Sequence, residues 1–507
     1  MASSATTAPH EELKVAPSIP EAPLSGRSPK AQRRTLPSGR GPQVVLHTIH
    51  HCPGLTIEDL QHELLREHVA RSVSLTRLRG YIERCIRGGL VEVVLGDDGQ
   101  ARYRIAQDLS WLKKPRETPH STPTTKDAST KYTVISLFSG AMGLDLGLHS
   151  TDRFRLLACI EKEPAFCQTI RRNQQGGGWP GDLRIVESDI ANVDPEELLD
   201  ELGLKPGEVD LIVGGTPCQP FSRARQRANV QDARSTLPLQ CLRFVKAMQP
   251  RFFLMENVPG LLTATLKPGE QPGSLMRTFE SGLGGSYRMD AFLVDAASYG
   301  TPQFRERAIV IGNRCDAHVE LPNATHGPPN ERRFDSPLDV LLPPLKAWVT
   351  LRDALRDLDD PTPIIIDFSP RRKRYLKLIP PGSNWRSLPP ELQRESLGKA
   401  WREEGCRSGW WRRLSFDAPS PTLLTMPCHA STSLCHPTET RALSLREYAR
   451  IQEFPDDWVF SGTKAQRYAQ VGNAVPLSLG RVAGHVIAEA LDRLHAREQR
   501  EVAAACP

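Results

Sequence analysis

The sequence predicts an α/β fold whose main part is a Rossmann-like domain built on an open, parallel sheet. A β-branched run at residues 132–137 leads through a glycine-rich turn, 138–143, into a helical segment, the arrangement of a cofactor-binding first βα unit. Runs typical of buried strands follow at 156–160, 184–187, 209–213 and 252–255. Acidic residues stand where successive runs end, so we expect one cofactor crevice at that edge of the sheet.

Length and composition limit the class of protein. A chain of 507 residues with 39% hydrophobic residues has room for about three domains and a sizeable core. No apolar segment reaches the ~20 residues that span a bilayer, and the N-terminus lacks the apolar core of a signal peptide. We therefore expect a cytoplasmic protein without a membrane partner. The 11 cysteines include no CxxC pair, so neither a disulfide framework nor a metal site is expected.

Basic residues are clustered, although the net charge of +6 and the isoelectric point near 8.7 are only mildly basic. The clusters lie at 27–40, 223–227, 371–374 and 402–413, and tryptophans accompany the last one. One such run is usually a solvated surface, but four together favour a nucleic acid over a small-molecule substrate. Residues 1–42 have no apolar period and are predicted to be a disordered basic tail.

Residues 43–110 are predicted to form a small separate domain. Three helical segments, 44–51, 56–67 and 74–87, precede two short strands, 90–95 and 101–105, joined by a Gly-Asp-Asp-Gly turn. This order resembles a winged-helix domain, whose third helix enters the major groove. Operator DNA is thus a candidate partner, and a winged helix that binds only protein remains an alternative. The third segment carries Arg77, Arg79, Arg84 and Arg87, and a polar linker, 111–131, follows the domain.

Two acidic positions and one missing motif narrow the choice of cofactor. Glu161 lies about 20 residues after the glycines, where Rossmann-like folds hold a ribose, and Asp189 with Ile190 follows the next strand-like run. The sequence has no GxxxxGKS or GxxxxGKT motif, so phosphate binding by a P-loop is unsupported. S-adenosylmethionine fits, because it offers adenine and ribose and needs no phosphate cradle.

A rigid loop with one cysteine follows the run at 209–213. Its sequence, Gly-Gly-Thr-Pro-Cys-Gln-Pro-Phe-Ser at 214–222, places Cys218 at the tip and stiffens the turn with Pro217 and Pro220. A thiol presented beyond a strand end suits a nucleophile. A small buried cysteine in a tight turn is the competing interpretation, and the loop alone does not decide between them.

Taken together, the motifs resemble the DNA (cytosine-5) methyltransferase family in kind and in order. They are the turn at 138–143, Glu161, Asp-Ile at 189–190, Thr-Pro-Cys-Gln at 216–219, Glu-Asn-Val at 256–258, Gln-Phe-Arg-Glu-Arg at 303–307, the segment 441–454, and Gln-Val-Gly-Asn-Ala-Val-Pro at 470–476. The resemblance covers about residues 133–490, apart from a variable insert. It implies an S-adenosylmethionine-dependent methyltransferase domain.

The resemblance also implies a covalent mechanism at the cytosine ring. Carbon 5 of cytosine is a poor nucleophile, and the family activates it by adding a thiolate, here Cys218, to carbon 6. Glu256 matches the acid that hydrogen-bonds N3, while Arg305 and Arg307 match the arginines that hold O2 and the thiolate region. Carbon 5 then takes the methyl group, and loss of its proton with expulsion of Cys218 restores the ring.

Cofactor contacts carry over in the same way. The turn is expected to hold the methionine and ribose, Glu161 the ribose hydroxyls, Asp189 with Ile190 the adenine, and Asn473 with Val475 the amino-acid end. Met142 departs from the pattern, because the family has a glycine there. The expected contacts are Phe138, Gly140, Gly143, Glu161, Asp189, Ile190, Pro217, Asn473 and Val475.

Double-stranded DNA is the expected partner, bound by a monomer that flips the target base. The arginines after Cys218 match the family's mobile loop that closes over DNA; a merely solvated loop is the alternative. Residues 321–437 correspond to a small, irregular target-recognition domain between two catalytic parts, 132–320 and 438–500. A helix at 477–494 should return to the first strand. The expected phosphate contacts are Arg223, Arg225, Arg227 and Arg234.

The function expected from the resemblance is DNA (cytosine-5) methylation, as the modification half of a bacterial restriction system. The enzyme would act at the nucleoid. A transfer-RNA methyltransferase is disfavoured by the long insert, and an amino-methylating DNA enzyme by Pro-Cys in place of its Asp/Asn-Pro-Pro-aromatic loop. The alternative from another class is a winged-helix regulator, such as an autorepressor, with or without methyltransferase activity.

Overall fold

The computed structural model describes residues 131–505 apart from positions 178, 180, 217–236, 268, 329–344, 402–408 and 430–432. Before residue 131 it describes positions 56, 57, 59, 60, 82, 91–95 and 101–105. The predicted basic tail, most of the predicted N-terminal helices and the predicted linker up to residue 130 lie outside the described residues. The cysteine loop from Pro217 onward lies outside them too.

The described N-terminal pieces agree with a hairpin. Strands β1 (Val91–Leu95) and β2 (Ala101–Ile105) pair antiparallel, as the turn between them predicts. Ile57 and Leu60, and further along the chain Ile82, are buried at helical positions, in line with the predicted apolar faces. The winged-helix assignment itself stays a prediction.

The part of the chain from residue 132 onward is built on a seven-stranded mixed sheet. In chain order the strands of this part are β3 (Tyr132–Leu137), β4 (Phe154–Glu161), β5 (Arg184–Glu187), β6 (Leu211–Gly215), β7 (Phe252–Asn257), β8 (Arg288–Asp295), the short β9 (Gln303–Phe304), which lies outside the sheet, and β10 (Glu306–Asn313). Five strands run parallel in the order β5-β4-β3-β6-β7; β10 then pairs antiparallel with β7, and β8 pairs antiparallel with β10. The order reverses between β3 and β6, and in such sheets ligands bind outside the carboxyl ends of the strands at that point.

Helices cover both faces of this sheet, because successive side chains of a buried strand point to opposite sides. Val134 of β3 belongs to one apolar cluster, whereas its neighbour Ile135 belongs to the other. The helices are α1 (Gly143–His149), α2 (Pro164–Gln175), α3 (Pro195–Glu201), α4 (Leu237–Met248), α5 (Ser274–Gly282), α6 (Leu351–Ala354), α7 (Pro370–Leu376), α8 (Pro390–Leu397), α9 (Leu445–Ile451), α10 (Lys464–Asn473) and α11 (Leu477–Ala505). Among the described residues, none of them has both the length and the apolarity to cross a membrane.

The last helix, α11, docks on the first one, as the sequence predicts. A Cβ atom on Gly147 would lie 2.2 Å from the carbonyl oxygen of Leu477, and one on Gly480 would lie 2.4 Å from that of Leu144. Glycine is therefore needed on both helices for their backbones to approach. Further along, the Tyr132 hydroxyl donates to Asp492 at 2.6 Å, which ties α11 to β3.

The insert has a core of its own between Phe368 and Ala442. Trp411 and Arg413 are each only 4% exposed. The Arg413 guanidinium donates to several backbone carbonyls, among them those of Leu376 at 2.6 Å and Ile379 at 2.7 Å. The sequence placed both side chains in a cluster favouring nucleic acid; that interpretation is wrong for these two, which hold the insert together. The remaining short strands are β11 (His326–Gly327), β12 (Lys346–Ala347) and β13 (Ser420–Pro421).

Candidate active site

An acid and a guanidinium, both predicted from the sequence, meet at the end of two neighbouring strands. Glu256 lies on β7 and Arg307 on β10, which pair antiparallel. The Arg307 Nε and the Glu256 Oε1 are 2.7 Å apart, and the two side chains are 9% and 8% exposed. Arg307 also donates from Nη1 to the Glu306 carbonyl at 2.7 Å. The pair is thus a fixed, nearly dry ion pair rather than a solvated one.

The other carboxyl oxygen of Glu256 faces the exit of β6. A Cβ atom on Gly215 would lie 3.6 Å from Glu256 Oε2 and 3.6 Å from Cγ2 of Val475. Thr216 follows Gly215 directly and leads into the loop that carries Cys218. The second carboxyl oxygen of the acid, Oε2, therefore lies where that loop begins.

Asn257 holds the start of this loop, a role that the sequence did not reveal. Its Nδ2 donates to the Thr216 carbonyl at 3.0 Å and to the Thr216 hydroxyl at 2.6 Å. Its Oδ1 accepts from the Val258 N–H at 2.7 Å, so the buried amide is held on both sides. The available signal was its position beside Glu256 in the Glu-Asn-Val motif.

The predicted cofactor turn has a demanding backbone. Phe138, Gly140 and Met142 have φ values of 54°, 55° and 69°, in the left-handed region that favours glycine. The Met142 side chain is fully buried in the main core. Burial of this side chain offsets the backbone cost, which explains how a methionine is accommodated where the family has glycine.

Glu161, at the end of β4, holds the cofactor turn. Its Oε2 accepts from the Gly140 N–H at 2.9 Å, and its Oε1 accepts from the N–H groups of Lys162 and Glu163 at 2.9 Å each. Burial raises the pKa of this carboxyl, while the three N–H donors oppose the rise. The structure therefore brings Glu161 to the predicted turn. Its contact with a ribose stays a prediction.

Asp189 and Ile190 lie next to this edge, just beyond β5, the neighbour of β4. Asp189 caps a short 3-10 turn, Ile190–Asn192, by accepting from the Ala191 N–H at 3.1 Å. The Nζ atom of Lys162, the residue after Glu161, lies 3.7 Å from the second carboxyl oxygen of Asp189. The Ile190 side chain beside these polar groups is buried in the core, and its contact with an adenine ring stays a prediction.

The Asn473 motif reaches the same place from the end of the chain. A Cβ atom on Gly143 would lie 2.3 Å from the carbonyl oxygen of Val475, so only glycine permits this approach. Val475 is buried, whereas Asn473 is exposed. Residues more than 300 positions apart in sequence thus meet at one turn, as the resemblance implies.

Arg305 forms hydrogen bonds with different residues from those that Arg307 contacts. It is buried and donates to the carbonyls of Leu423 at 3.2 Å, Gly472 at 3.0 Å and Ala474 at 3.0 Å. These contacts hold the segments around it, and its expected role at cytosine O2 stays a prediction. Gln303 and Gln452, two buried residues bonded to the same segments, belong to the motifs quoted above, but no role was predicted for either of them.

A further carboxyl is buried just after the cofactor turn. Asp145, in the first turn of α1, is 3% exposed, and burial raises its pKa to about 7 although a hydrogen bond with Ser136 lowers it. Its Oδ1 has no hydrogen-bond partner among the described residues. Among all the residues that the structure describes, no group of three or more His, Cys, Asp or Glu side chains could hold a metal ion.

The fold and the site define an α/β enzyme in which a buried acid–guanidinium pair adjoins an adenosine-type cofactor crevice. Residues 132–489 match the model of the C-5 cytosine-specific DNA methylases. The chain is 36% identical over 372 residues to the Type II methyltransferase M.PspPI of Psychrobacter sp. (strain TA137), covering 72% of this chain and 81% of that protein. It is 34% identical over 380 residues to M.Eco47II of Escherichia coli, covering 74% and 82%.

The chain belongs to the C-5 cytosine-specific DNA methylase family. It is accordingly an S-adenosylmethionine-dependent methyltransferase that acts on cytosine in DNA.

Proposed function

We propose that the protein methylates carbon 5 of cytosine within a specific double-stranded DNA sequence and protects bacterial DNA from a restriction enzyme. The observation that carries the mechanism is the buried Glu256–Arg307 pair, in which the second carboxyl oxygen of Glu256 lies near Gly215, just before the Cys218 loop. The similar proteins M.PspPI and M.Eco47II are both Type II methyltransferases, which supports the restriction-modification setting. The enzyme would act in the cytoplasm, as a monomer on DNA.

In this mechanism Cys218 supplies the thiolate, whose sulfur bonds to carbon 6 of the flipped cytosine. The ring gains negative charge, and N3 takes a proton that Glu256 would carry on Oε2 while Arg307 holds Oε1; the proton returns to Glu256 when the ring is restored. Carbon 5, now nucleophilic, would take the methyl group that S-adenosylmethionine supplies, as the bond from that group to the sulfonium sulfur breaks and S-adenosylhomocysteine leaves. A base then removes the proton from carbon 5, the bond to Cys218 breaks, and the aromatic ring is restored.

The cofactor supplies an electrophilic methyl group on a sulfonium sulfur. Two observations support this proposal: the Glu161 and Asp189 carboxyls follow neighbouring parallel strands, and sheets of this kind bind ligands at the carboxyl ends of their strands. Glu161 keeps the turn in place through Gly140, so its effect on cofactor binding includes the shape of the turn. The residues proposed to line the site are Phe138, Gly140, Gly143, Glu161, Asp189, Ile190, Pro217, Asn473 and Val475.

For DNA, we propose phosphate contacts from the loop arginines and base readout from residues 321–437. The proposed phosphate contacts are Arg223, Arg225, Arg227 and Arg234. Replacing each of them by alanine should weaken DNA binding by a similar factor whatever the DNA sequence, and should make DNA binding less dependent on salt concentration. Bisulfite sequencing of DNA from cells that express the chain would identify the methylated sequence.

The covalent step is tested with a duplex that contains 5-fluorocytosine at the target. Fluorine at carbon 5 blocks the final elimination, so the wild type should form an adduct that resists denaturant when S-adenosylmethionine is present. Cys218→Ser should form none, while Cys241→Ser, which alters a buried thiol on α4, should form it normally. An adduct with Cys218→Ser would show that another residue is the nucleophile.

The N-terminal region has a second proposed role, binding operator DNA. The antiparallel hairpin of β1 and β2, which the winged-helix order requires, supports this proposal. A chain without residues 1–110 should methylate DNA normally and lose binding to its own promoter. Retained promoter binding by the shortened chain would refute the role.

A further inference from the structure

Three buried polar side chains form one connected network beside the active site. Gln303, Arg305 and Gln452 are 0%, 3% and 0% exposed. The Gln303 amide donates to the Gln452 Oε1 at 2.8 Å, and Arg305 donates to the Gln303 Oε1 at 3.3 Å. Buried polar groups of this kind are stable only when their partners are in place, so their geometry is well defined.

One side of the network holds a chain segment in the last part of the insert. The Gln303 Oε1 accepts from the Leu423 N–H at 2.9 Å, and Arg305 donates to the Leu423 carbonyl at 3.2 Å. Just before it, β13 pairs with β9, and a Cβ atom on Gly472 would lie 2.4 Å from the Leu424 carbonyl oxygen. A shift of this segment would therefore break bonds on both sides of one residue.

The other side holds the turn that leads from α10 into α11. The Gln452 Nε2 donates to the carbonyls of Val471 at 2.7 Å and Ala474 at 3.0 Å. Arg305 reaches the same Ala474 carbonyl at 3.0 Å. The next residue, Val475, contacts Gly143 of the cofactor turn and lies beside Gly215 at the catalytic acid.

We propose that this network couples the DNA-reading insert to cofactor binding, with Gln452 as the central positioning residue. Duplex bound to the insert fixes the segment at Leu423, and the network transmits this order to Val475 and the cofactor turn. Bound DNA then tightens cofactor binding, and bound cofactor tightens DNA binding by the same factor. The proposal rests on the proposed function, because it takes residues 321–437 as the DNA reader and Val475 as a cofactor neighbour.

The test compares two buried glutamines. Gln452→Leu keeps the size of the side chain and removes its hydrogen bonds to Gln303, Val471 and Ala474. Gln470→Leu is the matched control, because Gln470 is also buried, accepting from Thr169 at 2.6 Å and donating to Ser461 at 2.8 Å. Calorimetry would give the affinity for S-adenosylhomocysteine with and without duplex carrying the methylated sequence.

In the wild type, duplex should tighten binding of S-adenosylhomocysteine about tenfold, within the usual range of such couplings. Gln452→Leu should reduce this factor to about one, whereas Gln470→Leu should keep it. Should Gln452→Leu fail to fold, Gln303→Met takes its place with the same expectation. This variant loses the hydrogen bond from the Leu423 N–H but keeps the one from Gln452 to the Ala474 carbonyl.

A folded Gln452→Leu or Gln303→Met variant with the wild-type factor would overturn the coupling. An equal loss of this factor in Gln470→Leu would also overturn the coupling. So would a wild type that binds S-adenosylhomocysteine equally well with and without duplex. Transfer of labelled methyl groups by the wild type separates the two proposals. Normal transfer without coupling refutes the network alone, while no transfer to cytosine refutes the proposed function.

Discussion

Replacing Asp145 by asparagine should stabilise the protein at neutral and alkaline pH. The carboxyl is almost fully buried in α1, and one of its oxygens has no hydrogen-bond partner among the described residues. Ionising it in place is therefore costly, which is why burial raises its pKa to about 7. An amide of the same shape carries no charge to bury, so Asp145→Asn removes this cost.

The size and sign of the effect follow from the two pKa values. Between the ordinary value of 3.8 and about 7, the folded protein keeps a proton that the unfolded chain releases. The contribution of Asp145 to stability is thus present below pH 4 and is lost as the pH rises to 7. Each pH unit corresponds to about 1.4 kcal/mol, which sets an upper limit of about 4 kcal/mol.

Urea unfolding at pH 5, 6, 7 and 8 would measure this effect. The free energy of unfolding of Asp145→Asn minus that of the wild type should rise by about 2–3 kcal/mol between pH 5 and pH 8. Asp200→Asn, an exposed position on α3, should show a constant difference near zero. A difference for Asp145→Asn that does not change with pH would show that this carboxyl is ionised in the folded protein throughout.

Three further predictions concern the site. Glu256→Gln should lower kcat by about 10²–10⁴-fold in a labelled-methyl assay and leave cofactor affinity unchanged; wild-type turnover would exclude Glu256 as the acid. Arg307→Leu should cost about 3–5 kcal/mol in urea unfolding because it leaves a buried carboxylate unpaired, and adding Glu256→Gln should recover part of that loss; additive losses would contradict a direct pair. Gly143→Ala should weaken cofactor binding at least tenfold, since its Cβ would lie 2.3 Å from the Val475 carbonyl, while Gly181→Ala, with open space around it, should bind normally; equal binding by both would refute the close approach.

The sequence predicted the parallel strands well, because such strands are buried on both faces and appear as short apolar runs. Strands β3 and β5 have the predicted bounds, and the bounds of β4, β6 and β7 differ from the predicted ones by a few residues. The edge strand β8 was not predicted. It carries Arg288, Asp290 and Asp295, and its pairing with β10 is a tertiary feature that no local pattern reveals.

The site was predicted in part. Glu256 and Arg307 meet as the motifs imply, and the cofactor turn gathers residues from both ends of the catalytic part. Arg305 stands two positions before Arg307 and has an entirely different set of partners, which a shared motif cannot show. Arg413 and Gln452 are buried and donate to backbone carbonyls that are distant in sequence. The local sequence around a polar residue does not show that it will be buried in this way.

The glycine contact between α1 and α11 has a consequence for biosynthesis. The ribosome releases Gly147 long before Gly480 exists, so the first helix has no partner while the sheet and the insert are being made. The predicted cofactor turn next to that helix also lacks Val475 until residues beyond 470 have been made. The turn therefore reaches its final packing only after the insert and α10 have been synthesised.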